Sequence, residues 1–221
     1  MNLIHAGQMS KNEIGNDTVS AMLRFRKRVF ADKLSWEVDT QDEMERDDYD
    51  ALDPLYLVAE SETRGVCGCM RVLPSTGPMM VSDTFGFMLN GVDAPHDPSV
   101  WEISRLAVLP SEQVGTGRGR VNLCPITMGL FRTAYDVARE RGIQRYIFVT
   151  SVGLERLLRR LGMPVSRFGT GKAQRIGDVL SVVLWVDIND QFYHAVYGPQ
   201  VQLTAREMYQ RVAPVSDREV A

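Results

Sequence analysis

Val100-Trp101-Glu102-Ile103-Ser104-Arg105-Leu106-Ala107-Val108 is a run of bulky and β-branched residues set between polar segments, and it reads as a strand. Two charges interrupt it, and strict alternation sets Glu102 and Ser104 on one face and Arg105 on the other. Upstream, residues 54–60 and 66–73 are short β-type runs joined by a polar link that ends in Arg64-Gly65, a hairpin signal, and Pro74-Ser75-Thr76-Gly77-Pro78 closes the second run. Downstream come a Gly-rich loop over 110–120, the longest helix over 121–141, a strand over 145–150, a helix over 153–161 ended by Gly162, and an apolar strand over 179–188. A helix over 17–30 precedes all of these, followed by an acidic stretch, 34–53, that has no regular period and reads as a loop.

Strands first in a hairpin, then strand, helix, strand, helix and strand, predict an α/β fold: a three-layer α-β-α sandwich with a mixed central sheet. The order resembles the acetyltransferase superfamily related to histone N-acetyltransferases (the GCN5-related fold), a likeness of fold that does not fix function. At 221 residues and 44% hydrophobic composition, one domain over 1–221 is expected, with a polar, loosely held tail from about 199. Twenty-five basic against 28 acidic side chains leave a net charge of -3, which offers no general attraction for nucleic acid or an anionic membrane. No targeting segment and no apolar stretch of membrane-spanning length is visible, so a cytoplasmic protein is expected. Cys67, Cys69 and Cys124 are odd in number, and His5, His96 and His194 lack ligand spacing, so neither a disulfide framework nor a metal site is predicted.

Charges in positions that periodicity assigns to the interior carry the functional reading. Arg26 falls on the apolar stripe formed by Met22, Leu23, Val29 and Phe30. It requires a carboxylate partner, a bound anion, or a route along its own stem to solvent. Arg71 interrupts the strand over 66–73, where alternation gives it a face shared with Cys67, Cys69 and Leu73. Arg26, Arg71, Glu102 and Arg105 thus need partners, and the acidic loop offers Asp47 and Asp50. A buried ion-pair network that pins the loop would explain the same pattern without any ligand.

Arg26-Lys-Arg-Val-Phe30, Leu34-Ser-Trp36 and Glu45-Arg-Asp47-Asp-Tyr-Asp50 resemble the N-terminal half of acyl-homoserine-lactone synthases. Met70-Arg71-Val-Leu-Pro-Ser-Thr-Gly-Pro78, Asp83-Thr-Phe85 and Trp101-Glu102-Ile-Ser104-Arg105 resemble that family's next three blocks, in the same order. The resemblance implies an acyltransferase that acylates the amine of S-adenosylmethionine from an acyl carrier protein or acyl-CoA, then closes a lactone and releases methylthioadenosine. S-adenosylmethionine is a substrate there, and no cofactor is implied. The site set it implies is Arg26, Phe30, Trp36, Asp47, Asp50, Arg71, Phe85, Glu102 and Arg105.

Acylation needs a base, for which Glu102 is the candidate, with Ser104 beside it on the same strand face. S-adenosylmethionine presents a sulfonium, an ammonium and a carboxylate, so a site holding both arginines and aspartates complements it. Phe30 and Trp36 could pack over it or belong to the core. In the helix over 153–161, leucines form one stripe while Arg156, Arg159 and Arg160 gather on another face; that face suits an acidic carrier protein, or is solvated with Glu155 as counterion. The acyl chain is expected between this helix and the sheet, near Phe148 and Thr150. Two rival readings remain at this point. A CoA-dependent N-acetyltransferase would use Gly115-Thr116-Gly117-Arg118-Gly119 for a pyrophosphate, although Glu112 stands where that superfamily's loop carries glutamine or arginine. A non-catalytic sensor would keep the pocket without the chemistry.

Overall fold

The computed structural model describes residues 2–109 and 124–198. The Gly-rich loop and the tail from 199 lie outside them. In chain order the elements are β1 (Asn2–Gly7), α1 (Asn16–Lys27) running into a π-helical turn (Arg28–Lys33), β2 (Thr40–Gln41), β3 (Met44–Glu45), a 3-10 turn (Asp48–Leu52), β4 (Leu55–Ser61) and β5 (Gly65–Pro74). There follow α2 (Met80–Asp83), a second 3-10 turn (Gly86–Leu89), β6 (Val100–Val108), α3 (Pro125–Arg141), β7 (Arg145–Ser151), α4 (Val152–Arg160), β8 (Val165–Arg167), β9 (Gln174–Ile176), β10 (Val179–Asp187) and α5 (Asp190–Tyr197).

The strands of the main sheet run in the order β1-β4-β5-β6-β7-β10-β8, with β9 also pairing β10. Every neighbouring pair is antiparallel except β6 and β7, which makes the sheet mixed as expected. On one face Leu57, Ala59, Met70, Phe148 and Leu184 pack against Leu130 and Phe131 of α3, Leu158 of α4 and Phe192 of α5. Gly68 lets α3 come down onto β5: a Cβ there would lie 2.6 Å from Ile126. On the opposite face Tyr56, Val58 and Cys69 meet Met22, Phe25, Val29 and Phe30. Farther along that face Ile147 and Val183 pack with Val81, Met88 and Leu89. Helices therefore cover both faces, and the three-layer arrangement is as the sequence order predicts.

The structure departs from the sequence pattern in several places: β2, β3 and a 3-10 turn lie in the stretch 34–53 that reads as a loop, and α2, β8 and β9 lie where the pattern assigns no element. β1 and α5 were not expected; β1 is short and carries a histidine and an asparagine, yet pairs along its whole length with β4. Cys67 faces the α3 side while Cys69 faces α1, because a bulge opposite Ala59 and Glu60 adds one residue to β5 and reverses the alternation. Arg71 therefore shares its face with Cys69 and Leu73, as alternation predicts, but not with Cys67.

One feature of the sheet sets up the site. β6 and β7 pair only over Val100 with Arg145, Trp101 with Tyr146, and Glu102 with Ile147. Beyond Glu102 the two strands part, so that β6 runs on against β5 alone.

Candidate active site

Arg26 leaves α1 toward the sheet and is 0% exposed. Its Nε donates to Glu45, and its Nη1 and Nη2 donate to the two Asp50 oxygens at 2.7 and 2.9 Å. Of the three possibilities for Arg26, the structure selects the carboxylate partner. Burial alone would lower its pKa, but the bonds from Asp50 and Glu45 and their charges raise it instead, so it stays charged.

Asp47 and Asp50 sit at the mouth of the 3-10 turn, where each completes the other's geometry. The Asp47 carboxylate accepts from Tyr49 N at 3.1 Å, and the Asp50 carboxylate accepts from Asp47 N at 2.9 Å. Arg71 meets both: it donates to Asp47 through a two-pronged contact, and to Asp50 Oδ1 at 3.0 Å. Its Nε donates to Ser104 Oγ at 3.0 Å. Tyr56 adds an O–H donor to Asp50 at 2.8 Å. Burial would raise the Asp50 pKa, but the hydrogen bonds and charges of Arg26 and Arg71 hold it well below the usual carboxylate range.

Arg105 was assigned by alternation to the opposite face, and this is corrected by the structure. Its backbone takes φ 52°, and β6 carries an extra residue against β5 between the pairs Arg71 with Ser104 and Cys69 with Ala107. The bulge turns Arg105 to the side of Ser104, where it donates to Glu45 at 3.0 Å and pairs with Asp47 at 2.7 Å. Its guanidinium also lies 5.6 Å from the centroid of Phe30. Three guanidiniums and the carboxylates of Glu45, Asp47 and Asp50 thus form one closed cage, in which Glu45 bridges Arg26 to Arg105.

Glu102 stands apart from the cage on the same face. It is 1% exposed, accepts from Met80 N at 3.0 Å and Val81 N at 2.6 Å, and makes no ion pair among the described residues. Burial pushes its carboxyl up to about 7, against the opposing pull of those two N–H groups and of Arg71. A carboxyl in this state can exchange a proton near neutrality. Ser104, half-buried, receives the Arg71 bond on its oxygen and keeps its own O–H to give.

Phe30 is buried and stacks on Trp36 with centroids 5.2 Å apart, while Trp36 remains 49% exposed, an aromatic face open at the rim. Phe85 is half-buried behind α2, packed against the cluster of Val81 and Ile147. A surface hollow lined by Asp39, Thr40, Arg46, Asp47 and Asp48 opens beside the cage. Phe148 and Thr150 lie on the part of β7 that β6 has left; Phe148 is buried among α3 and α4, on the face away from Glu102. Arg156, Arg159 and Arg160 are exposed on α4, and Arg159 is drawn to Glu155, which also binds Arg167. The structure therefore brings together Arg26, Asp47, Asp50, Arg71, Ser104 and Arg105, with Phe30, Trp36 and Glu102 at their border. The α4 arginines stand elsewhere.

Three participants escaped the sequence reading. Glu45 is fully buried between two arginines, Tyr56 braces Asp50, and Met80 contacts Arg71, Arg105 and Glu102. The signal for Tyr56 was its place on the α1 face of a strand opposite Arg71. Among the described residues no group of histidine, cysteine or acidic side chains is arranged to hold a metal, and no helix is long and apolar enough to cross a membrane.

Comparison with known proteins identifies the family. The family model described as autoinducer synthase matches residues 10–195. An acyl-homoserine-lactone synthase of Aliivibrio fischeri is 37% identical over 185 residues, covering 83% of this chain and 93% of the relative. Among solved structures, the AHL synthase LasI superposes with a TM-score of 0.77 at 33% identity, over 90% of this chain and 95% of that one. BjaI, a CoA-dependent acyl-homoserine lactone synthase solved with SAM and isopentyl-CoA, gives 0.74 at 25% identity, over 89% and 88%. A putative N-acetyltransferase from Lactobacillus plantarum, 15% identical with a TM-score of 0.52, shares the fold alone.

Proposed function

The chain belongs to the autoinducer synthase family as an acyl-homoserine-lactone synthase, and we propose that Glu102 is the base of its acylation step. The observation that carries this is a buried carboxyl without an ion pair among the described residues, set at the border of a cage whose charges are already matched. A carboxylate locked to an arginine would be too weak a base; Glu102 is spared that pairing.

Glu102 takes a proton from the ammonium of S-adenosylmethionine, directly or through one water. The freed amine attacks the thioester carbonyl carbon, and the tetrahedral oxyanion collapses with departure of the thiolate, which takes up a proton. Where β6 parts from β7 the strand N–H groups have no sheet partner on that side among the described residues, and with the Ser104 O–H they are donors for the oxyanion. In the second step the methionine carboxylate attacks the methylene bonded to sulfur. The C–S bond breaks, its electron pair stays on sulfur, and neutral methylthioadenosine leaves. That step needs positioning more than an acid or base.

Asp47 and Arg105 are the cage members with exposed surface, 15% and 11% of their side chains, so they are the ones to meet the substrate's ammonium and carboxylate. Arg26 is sealed behind them and acts by holding Glu45 and Asp50 in place. Trp36 supplies a ring for the adenosyl or sulfonium portion. Phe85 bounds the site from behind α2. The acyl chain passes through the gap between β6 and β7, with Phe148 and Thr150 along its course. The exposed Arg156 and Arg160, with Arg159, form the surface for an acidic acyl carrier protein; acyl-CoA is the second donor, as in the CoA-dependent relative. A cytoplasmic site of reaction belongs to the same proposal; among the described residues no helix is long and apolar enough to cross a membrane.

The test is incubation with S-adenosylmethionine and either donor. Methylthioadenosine together with an acyl-homoserine lactone is the expected result. Free thiol without methylthioadenosine would mark an N-acetyltransferase, and no product from either donor would leave a sensor.

A further inference from the structure

Met80 lies at a junction between the base and the cage and takes no part in bond making or breaking. Its backbone N–H donates to Glu102 at 3.0 Å. Its thioether sulfur accepts from Arg71 Nη2 at 3.2 Å and from Arg105 Nη1 at 3.3 Å. One buried residue therefore touches the carboxyl and two guanidiniums that do not touch each other.

Among the described residues the other hydrogen bonds and ion pairs of those guanidiniums go to Asp47, Asp50, Glu45 and Ser104. A buried N–H that lacks an acceptor is costly, so the two donors on the Met80 side need one. Sulfur supplies it without charge. An aliphatic side chain would leave both donors open, and Glu102, bound to the same residue, is the carboxyl on that side. The charges Glu102 feels come from Arg71 on β5 and Asp83 on α2. Tyr49 in the 3-10 turn feels its charge while bonding Asp83, and Arg105 on its own strand stands across the Met80 sulfur. Its neighbours in the sheet, Leu73 and Ile147, are apolar.

We infer that Met80 is a positioning residue for acylation: its neutral sulfur occupies the donors of Arg71 and Arg105 that would otherwise draw Glu102 into an ion pair, and so leaves that carboxyl able to take the substrate's proton. This rests on Glu102 as the base.

The experiment is the pH profile of kcat, with S-adenosylmethionine and an acyl thioester, for the wild type, Met80→Leu, Met80→Gln and Glu102→Gln. Leucine keeps the bulk and is well tolerated in place of methionine, but it cannot accept. Glutamine brings a neutral carbonyl acceptor. The acid limb in Met80→Leu is expected to move to lower pH by about one unit, as for a carboxyl that gains a cationic neighbour. In Met80→Gln it stays with the wild type, and KM for S-adenosylmethionine changes little in either. A Met80→Leu limb that coincides with the wild type overturns the inference, as does a Met80→Gln limb displaced as far as that of the leucine variant. Persistence of the limb in Glu102→Gln is a different failure: it removes the base assignment itself.

Discussion

Ser104 and Arg105 are consecutive on β6, yet both turn their side chains to the α1 side of the sheet, the serine to Arg71 and the arginine to Glu45 and Asp47. Arg105 reaches that side through a left-handed backbone, φ 52°, a conformation that costs a non-glycine residue on the order of 1 kcal/mol. Its pairs with Glu45 and Asp47 hold it there. A bulge that re-aims one side chain thus converts a strand with charges on two faces into one wall of a site.

Glu45 is a buried member of the cage whose loss should be felt in stability. Replacing it by glutamine leaves Arg26 and Arg105 facing one carboxylate fewer, inside the fold. Breaking a buried pair on one side costs about 3–5 kcal/mol, and Arg105's partial exposure places the expected loss toward the lower end. Urea denaturation measures it; a change within about 0.5 kcal/mol, the range of ordinary surface substitutions, would show that the cage does not stabilise the fold.

How much of this was legible in the sequence depended on periodicity. Arg26, Arg71 and Glu102 stood out because each interrupts a regular apolar pattern. Glu45 did not, since its strand has two residues and the surrounding acidic stretch has no period against which a buried charge could register. The faces of Arg105 and Cys67 were misread for one reason: each follows or sits in a bulge, which alternation cannot anticipate. Phe148 faces α4 as the helix-and-sheet expectation has it, but that is the face away from Glu102, a separation that strand periodicity alone does not reveal.

Stability should depend on Glu102 with a definite sign. Its folded-state carboxyl is raised from 4.5 to about 7, so the folded state holds the proton more tightly than the unfolded chain. The contribution is therefore intact below pH 4.5, falls as pH rises, and is lost above about 7. Glutamine does not titrate. The stability of Glu102→Gln relative to the wild type should increase across that window, by at most roughly 3 kcal/mol. Denaturation midpoints at the two ends of the window check it, and a constant difference would contradict the raised carboxyl.

Trp36 offers an exposed ring stacked on Phe30. Its replacement by alanine should raise KM for S-adenosylmethionine by about 2- to 30-fold, the worth of a cation–π contact, and leave KM for the acyl donor nearly unchanged. Equal rises in both would remove Trp36 from the nucleotide side of the site.

Reversal of charge at Arg156 and Arg160 distinguishes the donors. The double change to glutamate should lower kcat/KM with acyl carrier protein, in a salt-dependent way, and spare acyl-CoA. Equal loss with both donors would point to damage to α4 instead of to a docking face.

The most direct measurement is methylthioadenosine release from S-adenosylmethionine and an acyl thioester, followed across pH for the wild type and for Glu102→Gln. The wild type should lose rate below about pH 7, where its carboxyl is protonated. The variant should be slower by about 10²–10⁴-fold and show no such limb. Full turnover by Glu102→Gln, with an unchanged profile, would contradict the account.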